Sequence, residues 1–257
     1  MTDSGYGPMQ PRTGLPASRG LQWWSNAIAW LFGGTQQAGT WVLMTLVYLL
    51  LSLLLHFIPL IGSVASIPLN FVFSGGLLLA ASRSARAEAP AFADLFAGFG
   101  PRAGQLIAGG ALVLVGYLAV FAALLVVGIG AAISAFAGSV LNNMTLPNPA
   151  AWSIGLGTVG VVFLCLLALI PISLAAWLAP ALIMLRGVPP VDALRMSLAA
   201  GWRNPGAVTV YGLVGIFFAF IATLLLMMGW LVVVPLIFLS SYAAYQDVFA
   251  ADLEVLA

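Results

Sequence analysis

Long apolar stretches, each about the length of a membrane-spanning helix, alternate along the chain with short segments of polar, aromatic and small residues. A helix that crosses the hydrocarbon core of a bilayer needs about 20 mostly apolar residues, because it rises about 1.5 Å per residue. Six stretches meet this requirement and predict six transmembrane helices. They cover residues 41–57, 63–81, 105–137, 152–185, 207–228 and 230–245.

Two of the stretches are longer than one perpendicular span requires. Residues 152–185 would measure roughly 50 Å as a single helix, yet they are too few for two spans and a turn. We expect one tilted or broken helix there, with the break supplied by Pro171 and Pro180. In residues 105–137, Gly128 and Gly130 stand where a span should end, which favours a separate short helix after them.

The composition is that of a membrane protein. The chain is 63% hydrophobic and only 6% charged, whereas a soluble domain carries about a quarter charged residues to cover its surface. The net charge of +1 gives no reason to expect a nucleic-acid partner. Membrane lipids are the expected partners, and the fold class is an all-α, polytopic helical bundle.

The positions of the basic residues predict the topology. With six spans, every arginine falls before the first span, between the second and third, or between the fourth and fifth. All of them therefore lie on one side, and the positive-inside rule assigns that side and both termini to the cytoplasm. The use of arginine without lysine, together with abundant Ala, Gly and Leu, is typical of a GC-rich bacterial genome. We therefore expect the six spans to lie in a bacterial inner membrane. The arginines are Arg12, Arg19, Arg83, Arg86, Arg102, Arg186, Arg195 and Arg203.

A short amphipathic stretch precedes each odd-numbered span. Phe92, Leu95, Phe96 and Phe99 have the i, i+3, i+4, i+7 spacing that places residues on one helical face. We expect three such helices in the cytoplasmic interface. The candidate lipid contacts on them are Trp24, Phe92, Phe96, Phe99 and Trp202. The other two stripes comprise Leu21, Trp24, Ile28 and Leu31 before the first span, and Val191, Leu194, Leu198 and Trp202 before the fifth.

These stretches also indicate an internal repeat. Asp94 and Arg102 recur as Asp192 and Arg203, and the second helix of each hairpin carries an interior proline, namely Pro68, Pro171 and Pro235. The pattern favours three parallel copies of an interfacial helix followed by a two-span hairpin. The alternative is that any loop near the headgroups is amphipathic. The predicted segments are a disordered polar tail (1–19), a six-helix domain (20–246, with units of about 20–82, 90–185 and 190–246) and a short acidic tail (247–257).

Two motifs carry a resemblance to a known family. The sequence FADLFAGF at residues 92–99, and ALRMS at 193–197 followed by WRN at 202–204, resemble an uncharacterised family of six-helix bacterial inner-membrane proteins. More distantly, the chain is similar to the integral-membrane domain of glycerophosphoryl diester phosphodiesterases. The resemblance covers about residues 15–246. It implies a six-span fold in the inner membrane and supplies no catalytic residues.

Residues that could carry chemistry are few. His56 is the single histidine and stands at the outer end of the first span, where a solvated helix end is the usual explanation. Cys165 lies inside an apolar run, which favours a buried, inert thiol. The glycosylation pattern at residues 143–145 is expected to be accidental in a bacterial protein. No metal-ligand spacing or phosphate-binding loop is found, so we expect no cofactor, no metal and no catalysis.

Inside the spans the polar residues are uncharged. The absence of Asp, Glu, Arg and Lys there argues against proton-coupled transport. Asn70 is the candidate intramembrane polar residue, because an amide in hydrocarbon must find a partner. It either makes an interhelical hydrogen bond or lines a cavity. Small residues predict the closest helix contact between the third and fourth spans; they are Gly104, Gly109, Gly110, Gly116, Gly155, Gly157 and Gly160.

Two functional hypotheses remain open. The first is a non-catalytic membrane protein that handles lipid or organises a partner, either another membrane protein or a second copy of itself. The alternative is an uncoupled transporter or channel for a small or amphipathic solute. An enzyme ranks below both, because the chain lacks a hydrolytic domain and a shared fold does not transfer function.

Overall fold

The described part of the chain is helical, with no β-strand. A computed structural model describes residues 10–33, 37–58, 61–141, 149–225 and 228–249. The elements are α1 (Ser18–Phe32), α2 (Gln37–His56), α3 (Ile61–Ala85), the 3-10 helix η1 (Phe92–Phe99), α4 (Ala103–Leu141), α5 (Pro149–Arg186), α6 (Pro190–Arg203), α7 (Pro205–Leu224) and α8 (Trp230–Val248).

Six of these helices are long and apolar enough to cross a membrane: α2, α3, α4, α5, α7 and α8. Their number and order confirm the six-span prediction and the all-α, polytopic fold class. A shorter element precedes each pair of long helices, in the order α1, α2, α3, then η1, α4, α5, then α6, α7, α8. A common origin of these three sets stays a prediction.

The chain divides into two compact units. The first combines the residues up to Leu112 with those from Leu174 onward, and the second is Val113–Ser173. The second unit holds residues 113–141 of α4 and residues 149–173 of α5. Within it, Gly116 faces Ile172 at van der Waals distance. The first unit holds all the other elements and the interactions described below.

Both long helices are continuous. The separate short helix expected after Gly128 and Gly130 is wrong, because α4 runs unbroken from Ala103 to Leu141. Glycine lowers helix propensity, but in an apolar environment the backbone has no alternative hydrogen-bond partners, so the helix continues. Helix α5 also continues through Pro171 and Pro180.

One turn of α5 shares its backbone groups with a side chain of α6. The buried hydroxyl of Ser197 donates a hydrogen bond to the carbonyl of Leu174 at 2.6 Å and accepts one from the amide of Leu178 at 2.9 Å. Insertion of a side chain into the helical ladder opens it locally. The interaction lies one turn after Pro171, one of the two prolines where the sequence predicts a break in α5. Gly201, one turn later, allows α6 to lie against the Leu174 side chain.

Ser197→Ala is expected to lower the free energy of unfolding by about 1 kcal/mol, because both α5 groups lose a hydrogen-bond partner in a buried position. Denaturant titration of the purified protein in micelles, followed by circular dichroism, measures this change. Ser25→Ala is the matched control, since the Ser25 hydroxyl is exposed and bonds only within α1. Equal stability of the two variants would contradict the bridging role.

The three short elements bury different faces from those expected. In α1, Trp24 and Leu31 are buried as part of the core, but Leu21 and Ile28 of the same stripe are exposed. In α6 the buried face is made of small residues, and Val191 and Trp202 of the apolar stripe are exposed. Helix α1 therefore packs through its tryptophans, and helix α6 packs through small residues that let its backbone approach the neighbouring helix.

The second short element is a 3-10 helix rather than the expected α-helix. Its tighter winding places the residues of the predicted stripe on two sides. Leu95 is buried, whereas Phe92, Phe96 and Phe99 are exposed. The element begins where the Asp94 carboxylate accepts a hydrogen bond from the amide of Ala91, and it ends at Gly100.

The chain ends are more ordered than the sequence predicts. Residues 10–17 do not form a disordered tail, because the side chain of Asn204 binds both the carbonyl of Arg12 and the amide of Leu15. Asp247, expected in an acidic tail, belongs to α8 and is buried. Ser18 and Arg19 of the first predicted tail belong to α1, and Val248 of the second belongs to α8. Residues 1–9 and 250–257 lie outside the described part of the chain.

The closest helix contact of α4 is with α3. A Cβ on Gly110 would lie 2.6 Å from the Cα of Pro68, whereas Gly104 and Gly160 have no neighbour within 4 Å. Gly109 faces the side chains of Phe71 and Ile183. The predicted close contact between the third and fourth spans is therefore present at Gly109 and Gly116, which face Ile183 and Ile172 of α5, and is wrong for Gly104, Gly110 and Gly160. The surroundings of Gly155 and Gly157 lie outside the described set.

Candidate functional site

A cavity of about 500 Å³ lies between α2, α3 and η1. Its volume falls in the range of about 300–1,000 Å³ that is typical of small-molecule sites. Three of its lining residues, His56, Asn70 and Phe99, are exposed, so the cavity is reached from the protein surface. The lining residues are Tyr48, Leu51, Ser52, Leu55, His56, Ser66, Leu69, Asn70, Phe73 and Phe99.

The polar lining comes from two ladders on consecutive helices. In α2, Tyr48, Ser52 and His56 follow one another at intervals of four residues, which places them on one helical face. In α3, Ser66 and Asn70 have the same spacing. All five of these side chains line the cavity. Two apolar spans thus present a strip of hydrogen-bonding groups about 12 Å long, measured along α2 from Tyr48 to His56.

Hydrogen bonds orient several of these groups. The Ser74 hydroxyl donates to Oδ1 of Asn70 at 3.0 Å, and the Tyr48 hydroxyl interacts with the side chains of both Ser52 and Asn70. Nδ1 of His56 lies 2.7 Å from the carbonyl oxygen of Ser52. A carbonyl oxygen only accepts, so Nδ1 carries the proton, and Nε2 of the neutral ring is an acceptor.

Asn70 combines the two roles that the sequence leaves open. Its side chain interacts with Tyr48 across the α2–α3 contact, and it also lines the cavity. The amide oxygen accepts from Ser74, and the NH2 group carries two protons, so one donor of Asn70 remains for a ligand beside the contact with Tyr48. The residue is exposed although it lies six positions into the Val64–Ala85 apolar segment.

Aromatic rings form another part of the cavity wall. The Phe73 ring lies edge-on to Tyr48, with ring centres 5.8 Å apart, and edge-on to Phe99 at 5.3 Å. Phe96 is 6.3 Å from Phe73, and Phe92 is 5.9 Å from Phe96. The exposed rings of η1 are therefore continuous with the cavity wall.

Two glycines allow η1 to lie directly on α3. A Cβ on Gly98 would overlap the carbonyl oxygen of Val72, and a Cβ on Gly76 would lie 2.6 Å from the carbonyl oxygen of Leu95. Such close backbone contact requires residues without a side chain. Val72 is 13 positions before the end of α3 at Ala85, or about 20 Å along the helix. Thus η1 lies beside the middle of α3, where it completes the cavity.

An ion pair holds the start of η1. The buried Asp94 carboxylate binds the amide of Ala91 at 2.8 Å and the Arg83 guanidinium at 3.4 Å. A carboxylate in the first turn of a helix is also favoured by the helix dipole. The two charges are therefore paired with each other, and the carboxylate also binds the backbone. In contrast, Asp192 of the third set is exposed and lies 3.9 Å from Arg195.

The arginines near these elements are engaged as well. Arg102 donates to the carbonyls of Ile183 and Met184 and so caps the end of α5. Arg186 donates to the Tyr245 hydroxyl at 3.1 Å. The hydrogen bond from Arg86 at 2.9 Å lowers the pKa of the exposed Glu88. Arg102 and Arg186 thus join elements, whereas Arg86 pairs with a carboxylate two residues away.

The other predicted site residues are placed separately. Trp202 is 69% exposed, and its contact with lipid stays a prediction, whereas Trp24 is 3% exposed and lies inside the protein. The Trp24 ring stacks on Tyr211, and its Nε1 donates to the Tyr211 carbonyl at 3.0 Å. Cys165 is a buried free thiol. Among the described residues no group of three or more His, Cys, Asp or Glu is placed to hold a metal ion.

A polar and aromatic network that the sequence does not predict joins the two chain ends. Trp23 and Trp177 contact the Tyr211 ring at 5.7 and 5.0 Å. Asp247 binds the Arg19 guanidinium and accepts a hydrogen bond from Nε1 of Trp23 at 2.9 Å. The hydrogen bond to Asp247 raises the pKa of Arg19. This network fixes α1 against α7 and α8 and leaves the cavity as the candidate ligand site.

The six apolar helices define a polytopic membrane protein, and a cavity lies between two of them and η1. The chain is 30% identical, over an alignment of 261 residues covering 93% of each chain, to the probable inner membrane protein BTH_II0599 of Burkholderia thailandensis. It belongs to the family of this inner-membrane protein. No family model and no solved structure matches the chain. Nothing in these comparisons supports the distant resemblance to a phosphodiesterase membrane domain.

Proposed function

We propose that this protein is a non-catalytic lipid-handling protein of the bacterial inner membrane, with both termini in the cytoplasm. The observation that carries the proposal is the continuity between the polar cavity and the exposed rings of Phe92, Phe96 and Phe99. A lipid has a polar end and apolar chains, and this surface offers a matching partner for each. With the termini in the cytoplasm, the His56 end of the cavity is periplasmic.

The apolar surroundings of the cavity support this function. On α2, Leu50, Leu53 and Leu54 are each at least half exposed, and Val64 at the start of α3 is 43% exposed. Acyl chains can lie along these side chains while the polar end of the same molecule enters the cavity. A water-soluble ligand would gain nothing from the exposed leucines.

The absence of a catalytic role is supported by the geometry of the site. The histidine of the cavity donates to a backbone carbonyl, so its Nδ1 is not placed to activate the Ser52 hydroxyl. Cys165, the other candidate nucleophile, lies in the second unit. The site therefore offers groups that bind and orient a molecule.

Changing Phe92, Phe96 and Phe99 together to Ser is expected to abolish selective lipid binding, because it removes the aromatic surface beside the cavity. The measurement is mass spectrometry of the lipids that remain with the protein in native membrane discs, relative to the bulk membrane. Wild type should be enriched in one lipid class by about tenfold. The same experiment would recover a protein partner or a second copy.

The matched control changes three phenylalanines elsewhere that are more exposed than those of η1, Phe163, Phe217 and Phe220, to Ser. This control should keep the enrichment. Wild-type lipid identical to the bulk membrane, or equal loss in the two triple variants, would refute the proposal. Solute flux through liposomes containing the protein would then favour the alternative, an uncoupled transporter or channel that uses the same cavity.

A further inference from the structure

We infer that the cavity selects an amphiphile whose polar end is uncharged and hydroxylated, with the chemistry of a diacylglycerol, over lipids with a charged headgroup. This inference rests on the proposed lipid-handling function and adds the class of ligand. It is argued from the charge, the hydrogen-bonding groups and the shape of the cavity between α2, α3 and η1.

The lining carries no formal charge. Among the described residues that line the cavity, none is Asp, Glu, Lys or Arg. The charged residues Arg83 and Asp94 nearby on α3 and η1 are paired with each other, and Arg102 caps α5. A phosphate placed in the cavity would lose hydration without gaining a counter-charge, which is strongly unfavourable in an apolar environment. The site therefore disfavours the phosphodiester group of ordinary membrane phospholipids.

The polar groups that do line the cavity suit hydroxyls. A hydroxyl both donates and accepts, and the cavity offers both kinds of partner. The Asn70 amide donates, Nε2 of neutral His56 accepts, and the Tyr48 and Ser52 hydroxyls can do either. A molecule with one free hydroxyl and two ester carbonyls can satisfy these groups without burying a charge.

The shape also matches a molecule with a small polar end. The polar strip along α2 is about 12 Å long, and the same cavity is also lined by the rings of Phe73 and Phe99 and by Leu51, Leu55 and Leu69. A glycerol backbone together with its two ester groups fits within this length, while the exposed Leu53 and Leu54 offer a path for acyl chains. A large sugar headgroup would need more hydrogen-bonding partners than the five polar side chains provide.

The test is competitive binding to the full-length protein in discs of phosphatidylcholine. Equal amounts of dioleoylglycerol and dioleoylphosphatidylglycerol are added, glycerol alone is a separate arm, and bound molecules are measured by native mass spectrometry. Wild type is expected to retain dioleoylglycerol over dioleoylphosphatidylglycerol by about tenfold. Asn70→Leu should remove most of this preference. Tyr48→Phe should reduce it about threefold, since it removes one hydroxyl and keeps the ring contacts with Phe73 and Phe238.

The control variant is Thr223→Val, which replaces an exposed polar side chain on α7 that bonds only within its own helix. Thr223→Val should bind like wild type. If Asn70→Leu does not fold, Tyr48→Phe still tests whether the polar lining of the cavity sets the lipid preference. Preference for dioleoylphosphatidylglycerol that depends on Asn70 would overturn the inference and leave the lipid function intact. Retention of neither lipid, or binding of glycerol alone, would overturn both.

Discussion

Gly98→Ala is expected to displace η1 from α3, lower the free energy of unfolding by about 3 kcal/mol and open the cavity on one side. The added methyl group would overlap the backbone carbonyl of Val72, which belongs to a helix and cannot rotate away as a side chain can. The 3-10 helix must therefore move. Phe99 directly follows Gly98, so its contact with Phe73 and its place in the cavity wall are lost in the same movement.

Two measurements check this expectation. Denaturant titration gives the loss of stability, and native mass spectrometry gives the loss of retained lipid. Gly104→Ala is the control, because no atom lies within 4 Å of a Cβ at that position and alanine favours the helix. Gly98→Ala with the stability and the lipid of wild type would show that η1 does not depend on close contact with α3.

The six spans were predictable because they depend only on length and composition. A segment of about 20 apolar residues has one stable arrangement in a bilayer, whatever lies next to it. The faces of the short elements were not predictable in this way. Trp24 is large and apolar and suits either lipid or a protein interior. Its burial depends on Tyr211 in α7, which is far away in the sequence.

The 3-10 winding of η1 could not be predicted from the spacing of its apolar residues either. The spacing of Phe92, Leu95, Phe96 and Phe99 fits one face of an α-helix, yet Leu95 is buried and the three rings are exposed. The tighter helix follows from the close contact with α3 at Gly76 and Gly98, and no local propensity indicates this contact. The one sequence feature that could have indicated this contact is Gly98, a glycine inside a short apolar motif.

The cavity was partly visible in the sequence. Its polar residues recur at intervals of four in two consecutive spans, and such ladders indicate one polar face on each helix. That the two faces meet, and that Phe99 closes the space between them, depends on tertiary contacts. Asn70 was the residue that the sequence singled out, because an amide in an apolar span needs a partner. The structure adds Tyr48 as its partner and Ser52 as a further residue that lines the same cavity.

The motifs that carry the family resemblance have a shared structural role in this chain. Gly98 brings η1 onto α3, and Ser197 joins α6 to α5. Asn204 joins the end of α6 to the N-terminal segment. Each anchors a short element to the spans. The resemblance therefore reflects how the short elements are held, which explains why it predicts the fold and indicates no chemistry.

Asn204→Ala is expected to release residues 10–17 and to lower their local stability by about 2 kcal/mol, or about thirty-fold in hydrogen exchange. The buried amide group donates to the carbonyls of Arg12 and Ala200 at 2.8 and 2.9 Å and accepts from the amide of Leu15 at 3.0 Å. Alanine has no side-chain amide group, so all three backbone partners lose their hydrogen bond to residue 204. Hydrogen exchange read by mass spectrometry over the N-terminal peptide measures the change.

Asn26→Ala is the control, since Asn26 is exposed on α1; it should leave the exchange unchanged. The effect of Asn204→Ala should stay local, because α1 has its own attachment through Arg19 and Trp23 to Asp247. Faster exchange confined to residues 10–17 would establish that Asn204 orders this segment independently of α1. Protection as high as in wild type would mean that the amide of Gly14, bonded to the Arg203 carbonyl at 3.3 Å, and that of Arg12, bonded to Val248 at 2.9 Å, suffice to hold the chain.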